Sequence, residues 1–323
     1  MPTDPSTPHP PPAGVTIPER LDRTLRAWEG EQGATWLAEL PSLVARYLDR
    51  WHLTAERSVE PGGQISLVVY VRRADGTPAA LKAGLVTDET ADEPAALAHW
   101  NGRGAVRLLE ADPPQGVLLL ERLRGSISLR SLREDKAMLE AAGILQRLWV
   151  PPAPDHSFRT VAGYAGHLCD LLRTRRTPAP TATPAVAAAT TAARPLIDEA
   201  LETAAALLAS EPEQLLLHGD FHHGNVLVAE RSPWLAIDPK PLVGERAYDL
   251  AWLAQDRMDT LLGSPGPEAA IRRRLNRLAD SLEVDRERLH GWTLFRTVEA
   301  GVWSLSVGAT GPAELYLEFA SRL

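Results

Sequence analysis

Between Thr54 and Leu120 the apolar residues fall into short runs of β-formers separated by turn signals, whereas on either side of that stretch they recur at helical spacing. No all-α or all-β fold accommodates that switch. Upstream, Leu21, Leu25, Trp28, Trp36, Leu37, Leu40, Leu43, Val44, Tyr47 and Leu48 predict a helical pair over 18–51, punctuated at Gly30 and Gly33. Strands are expected over 54–60, 66–72 and 79–85. Pro61-Gly62-Gly63-Gln64 joins the first two and an Asp75-Gly76 turn joins the next, so all three pair antiparallel. A helix ending near Trp100 starts around Asp92 or Glu93, where Pro94 is tolerated in the first turn. Two further strands, 106–110 and 116–120, complete a small lobe over 52–121.

After Arg122 the periodicity becomes helical, with helices expected over 134–149 and 158–175 and a surface loop over 177–184. One long alanine-rich helix should span 185–210. A short strand begins near Leu215 and leads through a polar turn into a hairpin, 225–229 with 234–237; three or four helices follow from 247. The fold class is therefore α+β and bilobal: an N-terminal lobe over 18–121, helical extension plus sheet, and a helical C-terminal lobe over 122–323, with a cleft expected between them. Seven of the first 18 residues are proline, so 1–17 is expected to be an extended or disordered tail. That start has neither a basic n-region nor an apolar h-region, and no window approaches 18 apolar residues, so neither leader nor anchor is expected. The one cysteine, Cys169, cannot close an internal disulfide, which points to a reducing, cytoplasmic setting. A net charge of -8 disfavours a broad cationic face for nucleic acid or membrane. A small cationic or polar partner fits better.

The densest chemically capable run is Leu217-His218-Gly219-Asp220-Phe221-His222-His223-Gly224-Asn225, flanked by apolar strands. Asp220 and Asn225 lie five apart across a glycine-bracketed turn, and Asp238 ends the next strand, so all three can converge at one end of a hairpin. That set suits phosphoryl transfer, in which one carboxylate accepts a substrate hydroxyl proton while an amide oxygen and a second carboxylate bind Mg²⁺ bridging nucleotide phosphates. The alternative is a zinc hydrolase using His218, Asp220, His222 and His223, but it leaves Lys82, Asn225 and Asp238 unemployed. Only Lys82, Lys136 and Lys240 are lysines among 34 basic residues, so a lysine inside a predicted strand invites a chemical explanation.

His-Gly-Asp, four residues, Asn, and then a strand ending Ile-Asp-Pro resemble the aminoglycoside phosphotransferase branch of the protein-kinase-like superfamily. The run from Trp234 to Leu250, with Gly102–Glu110 and Leu118–Leu123, is similar to its streptomycin 6-kinase and hydroxyurea phosphotransferase subgroup. The resemblance implies ATP and Mg²⁺ as cofactors, Asp220 as catalytic base and Asn225 and Asp238 as metal ligands. It also implies Lys82 on the nucleotide phosphates, paired with Glu93 in preference to Glu89 or Asp92. Gly62 and Gly63 would form the loop over the phosphates, although they depart from the protein-kinase glycine pattern. Glu121 to Leu123 would receive the adenine edge through the main chain, and Asp249 would brace the catalytic turn from a helix start.

His218 reads as structural, and His222 as scaffold or substrate contact. Glu245, Asp256, Asp259 and Glu299 could offer negative potential to a cationic amino or guanidino sugar, with Trp303 one turn beyond Glu299. The implied acceptor is a hydroxyl of an aminocyclitol antibiotic or the N-hydroxyl of hydroxyurea, and a monomer is the default for the architecture. A kinase of another small amino sugar or metabolite, or a catalytically silent nucleotide-binding module of the same fold, are the alternatives.

Overall fold

The computed structural model describes residues 12–323, so most of the proline-rich start lies outside the described residues. The part of it that is described is held in place: Ala13 and Gly14 form a turn in which Val15 N donates to Pro12 O at 2.9 Å. Thr16 N donates to Ser58 Oγ at 2.9 Å, Ser58 Oγ donates back to Thr16 O at 2.7 Å, and Val15 is buried. The chain divides into two units: one runs to Ser128 and takes in Leu227–Ile237, and the other comprises Leu129–Val226 and Asp238–Leu323.

The first unit begins with α1 (Glu19–Trp28) and α2 (Gly30–Arg50), the expected helical pair. Their apolar stripes, Leu21, Leu25, Leu37, Leu40, Val44 and Tyr47, share one core with Leu67, Val69, Val71, Leu81, Val117 and Leu119 of the sheet. Each such side chain removed from water contributes about 1.5–3 kcal/mol before conformational entropy is counted. The strands are β1 (Thr54–Ser58), β2 (Ser66–Arg72), β3 (Pro78–Gly84), β4 (Leu108–Asp112) and β5 (Val117–Glu121), with α3 (Glu93–Trp100) between β3 and β4. Sheet order is β1-β2-β3-β5-β4, every neighbour antiparallel. β4 starts two residues later than the apolar pattern suggested.

A sixth strand, β6 (Arg124–Ser128), replaces the helical onset expected after Arg122. After β7 (Leu215–Leu217) has been laid down in the second unit, the chain returns to the first as a hairpin of β8 (Val226–Val228) and β9 (Trp234–Ala236), and β8 pairs with β6. Ala236 N donates to Gly104 O, Val106 N donates to Ala236 O, and the Arg231 guanidinium reaches Gly102 O, Ala105 O and Glu121. These bonds tie the hairpin to the first unit, so the expected division at residue 121 is replaced by a discontinuous one.

The second unit holds α4 (Glu134–Leu148), α5 (Val161–Arg175), α6 (Pro184–Ala192) and α7 (Arg194–Leu208). The single alanine-rich helix expected over 185–210 is two helices. Pro195 lacks an amide proton and its ring collides with the carbonyl four residues back, so the helix stops and restarts with proline in its first turn. β7 pairs antiparallel with β10 (Leu242–Gly244), a strand too short for pattern reading. Five helices follow rather than three or four: α8 (Arg246–Gln255), α9 (Met258–Leu262), α10 (Pro267–Leu282), α11 (Arg286–Ser306) and α12 (Thr310–Ala320). α11 is the hub. It is buried along most of its length, packs on α7, α8 and α12, and starts from an Asp285 cap that accepts from Arg288 N. Among the described residues no helix is long and apolar enough to cross a membrane.

Candidate active site

In the first unit β3 is buried along nearly its whole length, yet Lys82 sits in it opposite Val68 and Leu118. A buried ammonium demands a carboxylate. Glu93, at the first turn of α3, provides both oxygens: Lys82 Nζ donates to Oε1 at 2.7 Å and Oε2 at 2.6 Å. Of the three carboxylates weighed from sequence, it is therefore Glu93 that grips Lys82. Desolvation offsets much of what such a pair gains, so its value lies in fixing the ammonium rather than in stability. Between β1 and β2, Gly62 takes φ of +73°, and a Cβ there would press on Pro18 Cγ at 2.9 Å. Gly63 lies beside it, close against Ser66. At the far end of β5, Glu121 N donates to Arg107 O, and its carboxylate receives Arg107 N and the Arg231 guanidinium. Its amide is thus already committed to Arg107 O. Leu123 O accepts from Tyr70 Oη at 3.5 Å.

In the second unit β7 ends in the turn His218-Gly219-Asp220. Gly219 has φ of +77°, and a Cβ there would run into Lys240 O, so only glycine lets the two segments meet. Asp249, fully buried in the first turn of α8, accepts three bonds, two of them from that turn. Oδ2 takes His218 N at 3.0 Å and Trp149 Nε1 at 2.9 Å, and Oδ1 takes Gly219 N at 2.8 Å. His218 is buried, packs edge-on against Phe221, and accepts Asp220 N on Nδ1 at 3.3 Å, a scaffold role. Asp220 is left half-buried.

Asn225, ending a single 3₁₀ turn, donates Nδ2 to Asp220 O at 3.0 Å and lies 3.5 Å from Asp220 Oδ2. With its nitrogen spent, Oδ1 is the end left to ligate. Asp238 follows β9 with φ of +56°, a left-handed conformation unusual for a side chain other than glycine. Such backbone strain persists where function requires it. Two residues on, Lys240 N donates to His218 O at 2.9 Å, and Lys240 Nζ lies 3.8 Å from Asp220 Oδ2. Asp220, Asn225 and the Asp238 segment are thus brought together. An amide oxygen and a carboxylate are hard donors that fit Mg²⁺, whereas among the described residues no three His, Cys, Asp or Glu side chains are grouped to hold a metal.

His222 Nδ1 accepts Gly224 N at 3.0 Å, which fixes the ring on the loop and leaves Nε2 as its other polar atom. His223 is buried; its backbone N and ring Nδ1 lie 2.7 and 2.8 Å from Asp256 Oδ2. Burial opposes ionisation of Asp256, but the His223 contacts prevail and hold its carboxyl well below the usual range. Asp256 therefore fastens the loop instead of offering open negative potential. Glu245 is corrected likewise. It is buried, its oxygens take the Arg288 guanidinium, and Oε1 also takes Trp292 Nε1 at 2.7 Å, so it is a structural ion pair rather than a substrate contact. Asp259 is exposed.

Glu299 and Trp303 are half-buried one turn apart on α11. Sequence reasoning missed two neighbours of Glu299. Burial disfavours the charge of Arg296, but Tyr248, Tyr164, Glu299 and Asp220 hold its pKa above the ordinary value. The Tyr316 hydroxyl is pushed up by burial, then by Glu299 and Asp220. Both side chains thus lie within electrostatic reach of Asp220. A buried arginine at a helical position inside an apolar run was the signal available.

A family model described as aminoglycoside/hydroxyurea antibiotic resistance kinase matches residues 50–308. The chain is 41% identical over 312 residues to a streptomycin 6-kinase of Streptomyces glaucescens, covering 95% of this chain and 97% of that one. It is 38% identical over 301 residues to a hydroxyurea phosphotransferase of Kitasatospora aureofaciens, covering 92% and 82%. Among solved structures it shares its fold with a thermostable mutant aminoglycoside phosphotransferase in ternary complex with ADP and hygromycin B. That match has a TM-score of 0.59 at 13% identity and covers 87% of this chain and 97% of that one.

Proposed function

Because the chain belongs to the aminoglycoside/hydroxyurea antibiotic resistance kinase family, we propose that it transfers the γ-phosphoryl group of ATP to a hydroxyl of a streptomycin-like aminocyclitol antibiotic. The observation that carries this reading is the Gly219–Asp220 turn. A wholly buried Asp249 fixes it by accepting His218 N and Gly219 N, while Asn225 Nδ2 donates to Asp220 O. Rigid support of one half-buried carboxylate is what a proton acceptor for an alcohol requires.

Asp220 orients the acceptor hydroxyl and takes its proton. Asn225 Oδ1 and Asp238 would hold Mg²⁺, which supplies charge neutralisation on the nucleotide phosphates when bound. Lys82, locked by Glu93, would offer a fixed positive charge to nucleotide phosphates. Gly62 and Gly63 let the backbone lie close over them, and Leu123 offers main-chain groups to the base. Half-buried Glu299 and Trp303 suit a cationic sugar, one by charge and the other by its apolar face. A hydroxyurea-like acceptor is the second reading, favoured by the 38% identical phosphotransferase. A reducing, cytoplasmic setting suits both, given one buried cysteine.

The test is ADP release with a panel of streptomycin, other aminoglycosides, hydroxyurea, tuberactinomycin-type peptides and simple amino sugars. Streptomycin turnover should exceed that of the rest. Asp220→Ala should retain ATP affinity while turnover falls by roughly 10³-fold or more. Near-wild-type turnover in that variant would remove Asp220 from the role of base.

A further inference from the structure

Lys240 has no part in the reaction as derived so far, yet it is one of three lysines in a chain with 34 basic residues. Its ammonium lies 3.8 Å from Asp220 Oδ2, and its backbone is pinned, N to His218 O, against the turn that carries Asp220. Stability does not account for it. The Lys240 side chain is 36% exposed, and ion pairs so open to solvent contribute little. Position does. An alcohol bonded to Asp220 places its oxygen about 2.6–3.2 Å from the carboxylate, and in-line attack needs phosphorus about 3–3.5 Å further on. The oxygens of the transferring group then fall within reach of a flexible four-carbon stem rooted beside Asp220.

The choice of lysine follows as well. A guanidinium would clamp both carboxylate oxygens in a planar fork, whereas an ammonium is a single rotatable point charge that leaves an oxygen open to the alcohol.

We propose that Lys240 is a further catalytic residue whose ammonium passes from Asp220 Oδ2 to the transferring phosphoryl group and neutralises its charge. The inference rests on the kinase reading above. In the step, the acceptor oxygen forms a bond to the γ-phosphorus and the bond from phosphorus to the β,γ-bridging oxygen breaks with its electron pair leaving on ADP. The hydroxyl proton goes to Asp220. Lys240 keeps its own protons throughout and serves as charge only.

The test is Lys240→Met, which retains the stem and the backbone bond to His218, measured with streptomycin and ATP beside the wild type. Turnover should fall about 10²-fold with acceptor KM within about twofold. ADP binding by calorimetry should stay within about threefold. Lys240→Cys should be equally impaired and should recover at least about tenfold after alkylation with 2-bromoethylamine, which rebuilds the ammonium. The native thiol does not compete, because Cys169 is buried and burial raises its pKa. Combined with Asp220→Asn, Lys240→Met should still lower the residual rate about tenfold or more, since its target is the phosphoryl group. Turnover of Lys240→Met within about threefold of wild type, absence of aminoethyl rescue, or no added loss in the Asp220→Asn background would overturn the inference. A wild type inert toward every acceptor would overturn the kinase reading and this inference together.

Discussion

Replacing Asp249 by asparagine exchanges one buried oxygen for an NH₂ and changes little in volume. The carboxylate accepts two bonds on Oδ2, from His218 N and Trp149 Nε1, and one on Oδ1 from Gly219 N. The better orientation of the amide keeps its oxygen on the pair. Those two bonds then weaken from charge-assisted to neutral, at about 1 kcal/mol each. The NH₂ faces Gly219 N–H, and a buried donor without an acceptor costs about 1–3 kcal/mol. The sum is about 3–5 kcal/mol. At roughly 2–4 °C per kcal/mol for a unit of this size, the melting temperature should fall on the order of 10 °C. Urea unfolding followed by tryptophan fluorescence measures the free energy, and calorimetry measures the temperature. A loss below about 1 kcal/mol would mean that these three bonds contribute little and the turn is held by something else.

Two further outcomes follow from other buried groups. Glu93→Gln removes the charge that grips the buried Lys82 ammonium, so stability should drop by about 3–5 kcal/mol. Nucleotide KM should rise by roughly tenfold, about 1.4 kcal/mol, with acceptor KM unchanged in steady-state kinetics. Asp256 has a depressed folded pKa, so its contribution is complete above about pH 4 and is lost as pH falls through the folded value. The deficit of Asp256→Asn relative to wild type should therefore shrink as pH falls below about 4 in urea unfolding. A deficit that grew on acidification would reverse the sign of that linkage.

Local order carried the legible part of this protein. α1, α2 and the five strands of the first sheet announce themselves through periodicity and turn residues within a few positions of one another, so reading along the chain is enough. The turn from His218 to Asn225 is legible for the same reason, since glycine, carboxylate and amide are spaced by one short loop. The resemblance favours Glu93 over Glu89 and Asp92 as the partner of Lys82, and Glu93, which opens α3, is the one that reaches the ammonium. What pattern reading could not supply is whatever depends on a partner far away in sequence. β6 and β10 become strands because β8 and β7 lie beside them, and α6 and α7 divide where a proline outweighs a run of good helix formers. Glu245 and Asp256 look like open acids in sequence and are closed in the fold, one by Arg288 and Trp292, the other by His223. Sequence by itself determined the chemistry available, because residue types and short spacings are local properties. Only tertiary structure decided which charges are committed to each other, because a buried charge is settled by whatever long-range packing sets against it.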